Sequence, residues 1–258
     1  MNETNLFDLF LGTIIYRPYV YVFFLCYLVF AFFQLGIWRT ALFTINTYLI
    51  AFGCEYSSTR NGFPFGIYHY IDTTRTRELW ISNIPFWDSL SFVFLSYFSW
   101  NLAAAVFSQE PSRSLRDGLL DWRSPLLGGL LMMLLDVVID PLTVLGDRWF
   151  LGQIYYYPSG GPYFGVTLEN FGGWFFVGFT SQWIFQKYLK SRAKNINHPH
   201  PLFAWGIFGV YAGVFVFNWS ITLWIQEYSL LAASSLIIVA TLFPLALYLK
   251  RRASLWSI

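Results

Sequence analysis

The sequence predicts an all-α fold, a polytopic bundle of about seven transmembrane helices that forms one integral-membrane domain over residues 1–258. Hydrophobic residues make up 56% of the chain, aromatic residues 22% and charged residues only 12%, whereas soluble domains carry about 25% charged residues. The apolar residues are grouped into runs of about 20, the length with which a helix crosses a bilayer. Composition and run length together indicate a membrane protein.

The predicted spans follow one another with short connections. They cover residues 19–37, 40–55, 85–107, 124–146, 168–188, 202–225 and 229–249. The first run is too long for the core of a signal peptide, so we interpret it as a permanent span. The second ends at an acidic residue, the third follows a proline, and the fifth opens on Glu169-Asn170. The sixth follows a turn rich in proline, and the seventh ends at a basic triplet.

Basic residues are unevenly divided between the two sides of this predicted bundle. Five lie on the side of the 56–84 and 147–167 loops, and eleven lie on the other side. Cytoplasmic loops carry the excess of Lys and Arg, which predicts an outside N terminus and a cytoplasmic C terminus, most simply in a bacterial cytoplasmic membrane. The net charge of +2 is too small to indicate nucleic-acid binding.

Two stretches concentrate the polar groups of this apolar chain, within motif loops at about residues 55–84 and 147–174. One reads EYSSTRNGFPFGIYHY from Glu55, and the other reads GPYFGVTLENFGGW from Gly161. Turns and an interfacial aromatic belt account for their glycines, prolines and rings, but not for their acidic, basic and imidazole groups. Re-entrant loops that line a cavity account for both, and the topology puts both loops on one face.

Ionisable groups at membrane depth are costly and are usually retained for function. Near the motif face we expect Glu55, Asp88, Asp140 and Glu169. Asp136 should lie one helical turn deeper than Asp140, about 6 Å along the axis and on the same side of the helix. It has no nearby cation in the sequence, so a functional role is the better explanation for Asp136.

Structural roles are available to the other acids. Asp88 and Glu169 lie in the first turns of predicted helices, where acids cap free amides; for Asp88 this is the favoured interpretation. Glu55 has Arg60 as a potential partner. Asp140 precedes a proline and could satisfy backbone groups that the kink sets free.

The remaining candidate metal or redox residues give weak signals. Cys26 and Cys54 lie within apolar runs, which favours packing over a disulfide or a metal site. His198 and His200 lie in a turn between spans and have no third ligand near them. Phosphate-loop and dinucleotide motifs are also missing from the sequence, so we expect no metal and no cofactor.

Several spaced blocks resemble the integral-membrane carotenoid biosynthesis protein family, which includes the carotenoid 1',2'-hydratases. The blocks are TRNGFPFGIYHY from Thr59, Asp140-Pro141, GPYFGV from Gly161, and NFGGW from Asn170. The resemblance implies a membrane enzyme that adds water to the terminal double bond of an acyclic carotenoid end group, such as that of lycopene or gamma-carotene. The implied partners are a carotenoid or other isoprenoid lipid, membrane lipids and other pigment-pathway enzymes.

Alkene hydration requires a proton donor, a stabilised tertiary carbocation and a directed water molecule. A carboxyl group in an apolar pocket can stay protonated at neutral pH, which makes Asp136 and Asp140 the candidate acids. A second carboxylate, from Glu55 or Glu169, or else His69, would take the proton from water. The predicted substrate-binding residues are Arg60, Phe63, Phe65, Tyr70, Tyr163, Phe164, Asn170 and Trp174.

The aromatic residues and Arg60 are each expected to act in a specific way. The rings of Phe63, Phe65, Tyr163 and Trp174 would stabilise the cation through their quadrupoles. Arg60 would orient a carboxylate, that of Glu55 or Asp72, since the substrate has no anionic group.

Other functions remain open at this point. The spacing of Asp136 and Asp140 could hold Mg²⁺ on the pyrophosphate of a prenyl-diphosphate substrate. A carotenoid cyclase would use the same acid without water. A transporter or a membrane scaffold would use the intramembrane acids as a proton relay or not at all.

Overall fold

The structure, a computed structural model, describes residues 5–108, 115–191 and 201–254. Over these residues it contains nine α-helices, which confirms the all-α class. They are α1 (Leu6–Tyr16), α2 (Pro18–Leu35), α3 (Ile37–Asn61), α4 (Phe86–Phe107), α5 (Leu115–Leu120), α6 (Ser124–Val144), α7 (Leu168–Ser191), α8 (Pro201–Trp224) and α9 (Tyr228–Ser254).

Each predicted span coincides with one long helix, and the chain is a multi-pass membrane protein. Helices α2, α4, α6, α8 and α9 are long and apolar enough to cross a bilayer. Helices α3 and α7 are as long but carry more polar residues, so only five of the seven predicted spans meet both criteria. Helix α3 continues six residues beyond its predicted end and stops at Gly62, whose φ of 85° is left-handed.

Helix α4 lies at the centre of the bundle. In the most apolar stretch of α4, 83% of the residues are buried inside the protein, whereas the corresponding fraction is 28% in α2 and in α8. It packs against α2, α3, α6, α7, α8 and α9. The helices α2 and α8 therefore present most of their surface outward, as expected for helices that face lipid.

Small residues bring α6 and α7 close together. A Cβ atom on Gly128 would collide with Gln182, and one on Gly178 would lie 2.9 Å from the sulfur of Met132. One on Gly129 would lie 3.0 Å from backbone atoms of α7. Close backbone approach through glycine is the usual way in which membrane helices pack, and here it sets the α6 acids against the start of α7.

The two motif loops meet on one face of the bundle, as the topology predicted. Strand β1 (His69–Tyr70) is followed by a hairpin of β2 (Trp80–Ile81) and β3 (Ile84–Pro85). Strand β4 (Tyr155–Tyr156), from the second loop, pairs antiparallel with β1. The Thr167 hydroxyl also donates to the Phe65 carbonyl over 3.2 Å, which joins the two loops a second time.

Candidate functional site

A cavity of about 960 Å³, counted with its open mouth, lies beneath the motif loops. Its walls come from α2, α3, α4, α6, α7, α8 and both loops. Aromatic and aliphatic side chains form most of the lining, and the rings of Phe92 and Trp174 stack with centroids 4.0 Å apart. Ligand pockets are concave and mostly apolar with a few polar groups, so the lining of this cavity suits an apolar ligand.

Three carboxyl groups and one guanidinium interrupt this apolar lining: Glu55, Asp88, Asp140 and Arg17. Helices α3 and α6 end at the motif face and α4 begins there, so the ends of these helices bring the acids together. Of the four acids that we expected near one face, Glu55, Asp88 and Asp140 line this cavity, and the exposed Glu169 does not. Each has different hydrogen-bond partners, and these partners distinguish their chemistry.

Asp140 is surrounded by hydrogen-bond donors. The Tyr155 hydroxyl donates to Oδ1, and the Tyr157 hydroxyl donates to Oδ2 over 2.9 Å. Asn170 Nδ2 donates to Oδ2, also over 2.9 Å. Three donors on one carboxyl group strongly favour the carboxylate that remains once a proton has left.

Asp136 lies behind Asp140, is fully buried and does not line the cavity. Its Oδ2 accepts a hydrogen bond from the same Asn170 nitrogen over 2.6 Å. Its Oδ1 is buried without a partner among the described residues. The Asn170 amide, held in the first turn of α7, therefore joins the two acids into one unit.

The tyrosines of the second loop are suited to donate hydrogen bonds to Asp140. Burial, reinforced by the charge of Asp140, raises the pKa of Tyr155 and Tyr157 well above the usual value of a phenol. Both hydroxyls consequently stay protonated and act as hydrogen-bond donors throughout the physiological range. Tyr68 packs edge-on against Tyr155, with ring centroids 5.7 Å apart, and extends this layer toward the first loop.

Glu55 has two hydroxyl donors. Tyr70 donates to Oε1 over 2.8 Å, and Ser89 on α4 donates to Oε2. The expected pair of Glu55 with Arg60 is wrong, because the Arg60 guanidinium lies 3.4 Å from the centroid of the Tyr56 ring. Arg60 also donates to the Tyr56 carbonyl over 2.8 Å, in an exposed position.

Asp88 belongs to an ion cluster. Arg17, in the short joint between α1 and α2, donates from Nη1 to Asp88 Oδ1 over 2.7 Å. Its Nε and Nη2 form a bidentate pair with Glu78 at 2.8 and 2.9 Å. The interpretation of Asp88 as a helix cap is therefore wrong: α4 has no side-chain cap, and the carboxylate is bound to a cation instead.

The predicted site residues fall into two groups in the structure. The cavity wall contains Glu55, Phe65, Tyr70, Asp140, Asn170 and Trp174, and Asp136 lies directly behind it. Outside the wall lie Arg60, Phe63, His69, Tyr163, Phe164 and Glu169.

Local geometry explains this division. Successive side chains of a strand point to opposite faces, so Tyr70 enters the cavity and its neighbour His69 is exposed, beside the Tyr156 ring. Likewise Asn170 turns inward in the first turn of α7, while Glu169 is exposed. Phe63 is 60% exposed at the end of α3.

Several cavity residues were not predicted: Arg17, Tyr68, Tyr155 and Tyr157, together with Ser89 behind Glu55. The run Tyr155-Tyr156-Tyr157 was a readable signal, because alternate tyrosines in an extended loop share a face. Arg17 offered none, since its two partners lie 61 and 71 residues further along the chain.

Among the described residues, no group of three or more His, Cys, Asp or Glu side chains is arranged to hold a metal ion. Cys26 and Cys54 are both free. The segment with His198 and His200 lies outside the described residues.

Fold and site together define a multi-pass α-helical membrane protein with an acid-lined apolar cavity. Comparison with protein-family models matches residues 16–242 to the carotenoid biosynthesis protein family. The match covers most of the chain, so this protein belongs to that family. No curated protein and no solved structure matches the chain.

Proposed function

We propose that this protein is a membrane enzyme that adds water to the terminal double bond of an acyclic carotenoid end group by acid catalysis. The observation that carries the proposal is the unit of Asp136, Asn170 and Asp140 in the wall of an aromatic cavity. Family membership supports a carotenoid or related isoprenoid as the ligand. The apolar lining fits a hydrocarbon end group.

Protonation is the demanding step, because an alkene is a very weak base. Asp140 is the member of the acid pair that reaches the cavity, and we assign it the role of proton donor. The hydroxyls of Tyr155 and Tyr157 and the Asn170 amide stabilise its carboxylate after the proton has gone. Asp136 acts through Asn170 and is a positioning residue.

The tertiary cation needs stabilisation that water would not give in an apolar pocket. The rings of Phe65, Phe92 and Trp174 contribute to the lining of the same cavity. A cation over an aromatic face gains about 0.5–2 kcal/mol per ring, so such rings would raise the rate several-fold or more.

The rival chemistries fit the observed contacts less well. Both oxygens of Asp140 already accept protein donors, and Asp136 is buried behind it, so the pair is poorly placed to ligate Mg²⁺ on a diphosphate. Arg17, the cation in the wall, is engaged by Glu78 and Asp88. A carotenoid cyclase would use the same proton donor as a hydratase. A transporter or a scaffold would leave the pigment unchanged.

Expression in a lycopene-producing host, followed by mass analysis of the pigments, tests the proposal. Hydration adds the mass of one water per modified end, whereas cyclisation leaves the mass unchanged and shifts the absorption. Asp140→Asn should abolish the product, while Asp117→Asn on the exposed surface of α5 should not. Full activity in both Asp136→Asn and Asp140→Asn, at equal protein levels, would refute the acid assignment.

We also propose that the motif face lies outside a bacterial cytoplasmic membrane and that the C terminus is cytoplasmic. The excess of basic residues on the side opposite the motif loops supports this orientation. A fluorescent reporter fused to the C terminus should mature in the cytoplasm, and an alkaline phosphatase fusion at the same point should stay inactive. The reverse pair of results would invert the orientation.

A further inference from the structure

Hydrogen bonding distinguishes Asp88 from the other two carboxyl groups in the cavity wall. In Glu55 and Asp140 both carboxyl oxygens accept hydrogen bonds from protein side chains. In Asp88 only Oδ1 does so, from Arg17, and Oδ2 is buried and has no hydrogen-bond partner among the described residues. Asp88 therefore keeps an acceptor position that the protein does not fill.

Asp88 is also the outer member of its ion cluster. The side chains of Arg17 and Glu78 are 5% and 1% exposed, while that of Asp88 is 18% exposed and lines the cavity. Arg17 brings one positive charge to the two carboxylates of Glu78 and Asp88, and its bidentate pair with Glu78 fixes the guanidinium. A charged acceptor is thereby held at the cavity wall.

The two acid groups have different partners in this wall. Asp88 and Glu55 lie with Tyr70, on α3, α4 and the first loop, whereas Asp140 lies with the tyrosines of the second loop. The rings of Tyr68, Tyr70 and Tyr155 contact one another edge-on where the two groups meet, with centroids 5.3, 5.7 and 6.1 Å apart. One group can thus give a proton while the other accepts one.

On the basis of the hydration proposed above, we propose that Asp88 is the base that accepts the proton of the attacking water. Asp140 transfers a proton to the less substituted alkene carbon, and the π electrons form the new C–H bond, which leaves a tertiary cation. A water lone pair forms the C–O bond, and the resulting oxonium group loses a proton to the Asp88 carboxylate. Water in the cavity returns that proton to Asp140, so the cycle balances.

Hydrogen isotope exchange separates the two steps. Purified protein in detergent micelles is incubated with lycopene in heavy water, and alcohol and recovered lycopene are analysed by mass spectrometry. Wild-type protein should form an alcohol with deuterium on the newly protonated carbon. Asp88→Asn should form about 100-fold less alcohol, within the range for loss of a general base. It should still place deuterium into recovered lycopene, because the cation forms and reverts.

Three results would overturn the inference. The first is alcohol formation by Asp88→Asn at the wild-type rate. The second is loss of both exchange and alcohol in a variant that elutes as folded protein, since Asp88 would then only support the fold. The third is alcohol at the wild-type rate from Asp88→Ser, which also removes the carboxylate and is the variant to use if Asp88→Asn does not accumulate.

Asp72→Asn is the matched control. It makes the same replacement in the first motif loop, at a carboxylate that is 68% exposed and does not line the cavity. Its ratio of exchange to hydration should equal that of the wild type. If the wild-type protein neither exchanges nor hydrates lycopene while Asp88→Asn is folded, the proposed function fails, and that outcome differs from failure of the Asp88 assignment.

Discussion

Replacement of Asn170 by leucine tests the acid unit directly. The side-chain nitrogen of Asn170 donates to Asp136 over 2.6 Å and to Asp140 over 2.9 Å. Leucine has nearly the same volume and has no donor. Asp140 would keep its two tyrosine donors, whereas Asp136, fully buried, would lose the one hydrogen bond it has among the described residues.

The magnitude follows from this asymmetry. A hydrogen bond to a charged group contributes about 1.5–3 kcal/mol, and a buried polar group left unpaired costs a similar amount. Loss of the bond to Asp140 is partly compensated, so the unpaired Asp136 dominates and we expect a free-energy loss of about 3 kcal/mol. At about 3 °C per kcal/mol for a chain of this size, Tm should fall by about 10 °C.

Thermal unfolding of detergent-solubilised protein, followed by intrinsic tryptophan fluorescence, measures this change. The double-mutant cycle with Asp136→Leu gives the interaction energy, since removal of both partners should cost less than the sum of the single replacements. Hydration should be lost in Asn170→Leu even at temperatures where the variant is folded. Additive effects on Tm, or full hydration by Asn170→Leu, would refute the reasoning.

Three further predictions concern packing and the tyrosine layer. Gly173→Ala should lower stability by about 1–3 kcal/mol, because the new Cβ collides with the Phe65 ring. A Cβ on Gly172 meets nothing within 4 Å, so Gly172→Ala should be neutral. Thermal unfolding of the two variants compares their stabilities. Tyr155→Phe should lower the hydration rate about 10-fold or more, because it removes a hydroxyl that donates to the Asp140 carboxylate. Tyr156→Phe, at an exposed position, should leave the rate unchanged. Equal pigment yields from the two variants would contradict this. Burial raises the pKa of Tyr155 in the folded state, so its stabilising effect is complete below the ordinary phenol pKa and is lost as pH rises above about 10. The decline in Tm between pH 9 and pH 11 should be shallower in Tyr155→Phe than in the wild type, and parallel declines would contradict the assignment.

The fold class was readable from the sequence because it depends on local properties. Runs of about 20 apolar residues must form helices in a bilayer, wherever they pack. Helix α1 was missed because its 11 residues are too few to span, and many of its apolar side chains stay exposed. The end of α3 was misplaced because the stop depends on the left-handed Gly62, seven residues beyond the predicted end at Glu55.

Only part of the candidate site could be predicted from the sequence, because the rest depends on contacts that are not local in the chain. Sequence position gives the depth of an acid in the membrane, which correctly grouped Glu55, Asp88 and Asp140. It does not give partners that are distant along the chain, so the contacts of Arg17 with Glu78 and Asp88 could not be predicted. It also does not give the side to which a loop residue points, which is why His69 was selected and Tyr155 was not.

The division of labour between helices and loops explains why the motif loops carry so many aromatic hydroxyls. The helices supply carboxyl groups at a fixed depth, and three of these are otherwise alike: Glu55, Asp88 and Asp140. The loops supply tyrosine hydroxyls that donate to Glu55 and Asp140, whereas the joint between α1 and α2 supplies Arg17, which donates to Asp88. Neutral donors favour a carboxyl group that gives up a proton without being permanently charged, whereas a guanidinium favours one that stays ionised and accepts. The proposed acid and the proposed base therefore differ in their partners, not in residue type, and exchange of Arg17 for a neutral residue should impair proton acceptance before it impairs proton donation.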